Sequence, residues 1–140
     1  MRTIEEKIID ALNGNNGEGI KKLSCRDCVE VNGGTKRYYL WNNLIFWNND
    51  SIYYFSGRGW NSLTTKSRLT AILGSFFDAS ITQKKYKWFL NWNGKKYPVG
   101  VSSIYMLKGK KYPVSVSPIY MLKGNKLYRL GAHEEEVKPL

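Results

Sequence analysis

Between Ala79 and His133 the chain contains no aspartate and no glutamate. The same span carries Lys84, Lys85, Lys87, Lys95, Lys96, Lys108, Lys110, Lys111, Lys123, Lys126 and Arg129, so the whole formal excess of +11 sits there. Upstream charges nearly balance, and the last residues are acidic. So one-sided a field attracts polyanions, nucleic acid first, then an acidic protein or membrane surface. The competing reading is that the lysines keep an aromatic β-surface soluble and protect its edges.

Other shortages narrow the chemistry. There are two cysteines and one histidine, His133, in a charged tail. Cys25-Arg26-Asp27-Cys28 has CxxC spacing, but a structural zinc needs four ligands, and no thioredoxin-like βαβ pattern follows for a redox pair. Two reduced thiols are expected. No triad or phosphate-cradling P-loop is present. Asp27, Glu30, Asp50 and Asp78 are the acids that folding could bring together on a metal, as nuclease carboxylates do, which their spacing alone does not show. The expectation is a non-enzymatic protein with no cofactor and no metal. Nor is there a run of roughly 18 apolar residues or a charged start leading into one, which predicts a soluble, cytoplasmic chain.

What is present is aromatic: 5 Trp and 10 Tyr among 140 residues, with 42% hydrophobic residues overall. This length predicts a single domain over 1–140. Thr3-Ile4-Glu5-Glu6 matches a capping box. Ile4, Ile8, Ala11 and Leu12 then share one helical face and Gly14 supplies a stop, giving an N-terminal helix within 1–13. Residues 25–92 read as a β-meander plus a central helix. "VEV", "KRYYLW", "NLIFW" and "SIYYF" are strand-like runs separated by "NGG", Asn42-Asn43 and "NND". The helix is expected from Thr65 to about Phe76, burying Leu69, Ile72, Leu73 and Phe76. After it, "KKYKWFLNW" alternates, with Tyr86, Trp88, Leu90 and Trp92 on one face and Lys85, Lys87, Phe89 and Asn91 on the other.

Residues 94–130 hold a near-exact repeat of period 15. Gly94–Lys108 and Gly109–Lys123 differ only at Gly100/Ser115 and Ser103/Pro118. So close an identity indicates recent duplication, read here as the doubling of a β-hairpin, with Pro98 and Pro113 at edge positions. Residues 131–140 form an acidic tail. The fold class is α+β, predominantly antiparallel sheet with a short N-terminal helix and one central helix.

The stretch Leu63-Thr64-Thr65-Lys66-Ser67-Arg68-Leu69 places two cations at a helix start, where the exposed N–H groups already carry partial positive charge. Thr64 and Thr65 as caps, with Lys66 and Arg68, would form an anion pocket into which Arg58 and Trp60 enter from the preceding loop. Alternatively Trp60 is a core anchor and the cations face water. Phosphate contacts are assigned to Arg58, Thr64, Thr65, Lys66, Arg68, Lys84, Lys85, Lys87, Lys95, Lys96, Lys110 and Lys111, and stacking to Trp60, Trp88 and Trp92.

The pattern Arg26-Asp27-x-Val29, Tyr39-Leu40-Trp41-x-Asn43-x-Ile45, then Gly59-Trp60 leading into Thr64-Thr65-Lys66-Ser67-Arg68-Leu69 resembles small bacteriophage proteins over residues 25–92. The resemblance implies a phage origin and no enzymatic role. It differs at Thr70, where those proteins often carry Asn. Three expectations follow for a phage protein in the host cytoplasm. It engages nucleic acid or a host nucleoprotein such as a CRISPR effector; it sequesters a small nucleotide signal; or it is a virion or assembly component.

Overall fold

The computed structural model describes residues 2–57, 63–85, 87–99, 104–107, 110–113, 118–131 and 133–140. The first helix, α1 (Thr3–Leu12), starts one residue earlier than the expected capping box. Arg2 is the cap residue, and Glu5, not Glu6, reaches back to accept from the Arg2 N–H at 3.2 Å. The helix buries Ile8, Ala11 and Leu12, so it belongs to the core. Gly14, at φ 80°, then takes a left-handed conformation that a side chain would resist, and the helix ends.

The meander follows as β1 (Gly19–Lys22), β2 (Asp27–Asn32), β3 (Thr35–Leu40), β4 (Asn43–Asn49) and β5 (Ile52–Phe55), each antiparallel to the next. The β3–β4 turn is Trp41-Asn42, at φ 50° and 64°, rather than Asn42-Asn43. The register shifts between Tyr38 and Tyr39, after which Leu40 pairs with Asn43 and closes the turn. Trp41 therefore leaves the strand and is 60% exposed.

The second helix, α2 (Leu63–Phe77), begins two residues before the expected start and buries Leu69, Ile72 and Leu73 as expected. Its end supplies Phe76, 5.7 Å from the Phe46 ring, and Phe77, 4.9 Å from Tyr53 and 6.3 Å from Trp92. These rings join the meander to a three-stranded sheet of β6 (Ser80–Lys84), β7 (Lys87–Trp92) and β8 (Lys95–Val99). A two-stranded sheet of β9 (Ile104–Leu107) and β10 (Lys110–Pro113) follows. The chain then returns as β11 (Ile119–Lys123), β12 (Lys126–Leu130) and β13 (Glu134–Glu136), which extend the meander to eight strands in the order β1-β2-β3-β4-β5-β11-β12-β13. The sheet-dominated α+β class is observed.

The repeat is not a doubled hairpin. Each copy supplies two strands that pair with other elements: β8 with β7, β9 with β10 across the copy boundary, and β11 with β5 and β12. No described residue lies in a helix long and apolar enough to cross a membrane.

Candidate nucleic-acid interface

The start of α2 does not form the expected pocket. Successive helical residues are rotated by about 100°, and the four candidates diverge accordingly. Arg68 is 0% exposed. Its Nε donates to Asp27 Oδ1 at 2.9 Å, and its Nη1 donates to Glu5 Oε2 at 3.0 Å. Ser67 Oγ donates to the same Glu5 oxygen at 2.5 Å, Ser24 Oγ donates to Asp27 Oδ2 at 2.6 Å, and Tyr38 donates its hydroxyl to Asp27. Arg68 thus ties α2 to α1 and β2 and cannot reach a phosphate. Thr65 is also buried. Thr64 and Thr65 border a cavity of about 380 Å³ with Leu40, Trp41, Asn43, Ile45 and Gly57, a lining that holds no charged group among the described residues. Lys66 lies on a separate groove with Arg2, Thr70 and Ile81. Arg58 and Trp60 fall outside the described residues.

In this cluster of three buried charges, burial and hydrogen bonding oppose each other at both carboxylates, and hydrogen bonding prevails. Burial alone would raise the Glu5 carboxyl, but hydrogen bonds from Ser67, the Arg2 N–H and Arg68 outweigh it and hold it below the ordinary range. Asp27 is lowered in the same way, its burial overcome by bonds from Arg68, Ser24 and Tyr38. Tyr38 is pushed far up by burial and by its bond to the Asp27 carboxylate. Asp27 is therefore committed to Arg68, and no group of three metal-ligating side chains occurs among the described residues.

Trp88 and Trp92 do not lie on an open face, contrary to the expectation of stacking. They are 4% and 5% exposed and join the core with Leu90, Tyr97 and Val99, so they offer no stacking face. Trp92 packs on Phe77 and Tyr97 instead. The Trp88 indole N–H has no hydrogen-bond partner among the described residues.

The opposite face of the same three strands is open and basic. Its rows are set by the register: Ser80, Asn91 and Lys96; Thr82, Phe89 and Pro98; then Lys84 directly opposite Lys87. Lys84, Lys87, Lys96, Thr82 and Pro98 are exposed, and Phe89 is half-buried beneath the Lys96 ammonium, 5.1 Å from its ring centroid. Asn91 donates to Thr82 Oγ1 at 2.9 Å, which fixes the polar floor. Lys85, at φ 51°, turns the β6–β7 hairpin at the basic end, and exposed Lys95 opens β8 at the other. None of the lysines on this face has an ion-pair partner among the described residues, whereas Lys126 and Lys138 both pair with Glu136. Lys110 and Lys111 are in β10, separate from this sheet.

Phe89 was missed as the aromatic of this face because the two tryptophans are larger. The signal was Leu90, which shares the phase of Trp88 and Trp92 and marks that side as the core.

The architecture defines a sheet-dominated α+β protein whose small sheet carries a lysine-rich, partly aromatic outer face. The family model described as Kyanoviridae Gp96 protein matches residues 1–106, and the chain belongs to that family of bacteriophage proteins. The match supports the phage resemblance and extends it to α1, without singling out the Gly59-Trp60 to Leu69 segment. No curated protein and no solved structure matches the chain.

Proposed function

We propose that this phage protein is a non-enzymatic binder of nucleic acid, free or within a host nucleoprotein such as a CRISPR effector, and that it acts in the host cytoplasm. The observation that carries this reading is the outer face of β6, β7 and β8. Lys84 and Lys87 sit directly opposite each other at Cα, a like-charge pairing that is unfavourable in a sheet. Lys96 of β8 lies over Phe89 of the adjacent β7. A bound phosphate relieves the first conflict, and a base edging onto Phe89 continues the cation–π arrangement, the combination used by single-strand binders. The small-nucleotide reading draws no support from Arg68 and Thr65, which are buried, and its other pocket residues Arg58 and Trp60 lie outside the described residues.

The test is fluorescence anisotropy with a labelled single strand of about 20 nucleotides, longer than typical single-strand sites, and its duplex, at several salt concentrations. Wild type is expected to bind with log affinity falling linearly in log salt. The triple variant Lys84→Glu/Lys87→Glu/Lys96→Glu is expected to weaken binding strongly and to flatten that slope by about 2, from roughly 0.7 per phosphate contact on a single strand. Unchanged affinity in a folded triple variant would overturn the proposal.

A further inference from the structure

Each strand of the repeat falls at the same place in its copy. Lys95–Val99 and Lys110–Pro113 both begin at the second residue, and Ile104–Leu107 and Ile119–Lys123 both begin at the eleventh. Equivalent segments nevertheless sit in different sheets. Ile119–Lys123 lies between β5 and β12, where Tyr120 and Leu122 are buried and the Tyr120 ring stacks on Phe55 at 5.4 Å. Ile104–Leu107, with the same Ile-Tyr-Met-Leu sequence, pairs among the described residues with β10 alone. Likewise Tyr97 and Val99 of β8 are core residues, and copy two repeats them as Tyr112 and Val114. The family match ends at residue 106, inside the first copy.

We infer that the β8 and β11 positions can each be filled by either copy, so that the β9–β10 hairpin is an expendable insertion that can move along the chain. With copy one in β8 and copy two in β11, the surplus forms the observed hairpin. With copy two in both, the surplus lies between β7 and β8; with copy one in both, it lies between β11 and β12. The side chains that meet the core are identical in all three arrangements. Only the Gly100/Ser115 and Ser103/Pro118 differences, which fall between the paired strands, distinguish them. The inference does not depend on what the basic face binds.

Two experiments decide it, both read as thermal midpoints. The chain lacking residues 109–123 is expected to unfold cooperatively with a Tm within about 5 °C of the full chain, a loss on the order of 1 kcal/mol at this size. Failure of that shorter chain to fold would overturn the inference, because the hairpin would then be framework. In the full chain, Tyr105→Ala and Tyr120→Ala singly are each expected to lower Tm by only a few degrees, since the intact copy takes over the β11 position. The double variant is expected to lose about 10 °C or more, as removal of a buried aromatic ring does. Were Tyr120→Ala alone as damaging as the double variant, copy two would be the sole occupant of β11 and the inference would fail.

Discussion

Arg68 shows how one side chain can look like a binding residue and be a structural one. A lone buried guanidinium is untenable, but here it meets two carboxylates that are themselves held by Ser24, Ser67 and Tyr38. Replacing it with alanine strands Glu5 and Asp27 in the interior, with an expected loss of about 3–5 kcal/mol. Urea unfolding of Arg68→Ala measures that loss, while nucleic-acid affinity of the folded fraction should not change. The same cluster sets the acid limit. Because the folded carboxyls of Glu5 and Asp27 titrate below their unfolded values, their contribution is complete above those values, about pH 4. It declines as pH falls from there through the folded values. Far-UV titration should therefore show the wild type unfolding in this acid window. A Glu5→Gln variant should show a shallower dependence on pH there. In the sequence, Arg68 was legible only as an anomaly at a helix start. Its partners lie in α1 and β2, and no local pattern places them beside it.

At the level of strands and helices, alternation carried much of the outcome and phase carried the errors. "KKYKWFLNW" was readable as a strand with one basic side, and β7 has that side. Aromatic size alone then pointed to Trp88 and Trp92 for stacking, although their alternation with Leu90 assigned them to the core. The two roles separate experimentally. Phe89→Ala should leave the fold intact and weaken single-strand binding by about 1–3 kcal/mol if one base stacks there, measured by anisotropy. Trp88→Ala should instead destabilise the protein by about 3–5 kcal/mol in a urea titration. The capping box and the β3–β4 turn were each displaced by one residue. In the first, Glu5 accepts from the Arg2 N–H with one oxygen and pairs with Arg68 through the other; in the second, the register shifts between Tyr38 and Tyr39 and Trp41 lies outside the strand.

For the molecule as a whole, the fold class was visible in the sequence and the order of strands was not. The chain leaves the large sheet after β5 and builds α2 and two smaller sheets before β11 returns to pair with β5. No local signal encodes that closure, as the repeat demonstrates: one Ile-Tyr-Met-Leu segment is central in the eight-stranded sheet and its twin is half of a two-stranded one. The uneven charge was legible from the start, and folding divides it between the outer face of β6, β7 and β8 and the hairpins beyond. The last residues cross between the sheets: the Val137 N–H donates to the Leu127 carbonyl, and the Leu140 N–H donates to the Lys96 carbonyl, both at 2.8 Å. A dye carried on a residue appended after Leu140 would stand beside the strand that presents Lys96, and its emission would register occupancy of the basic face with unlabelled ligands of any length.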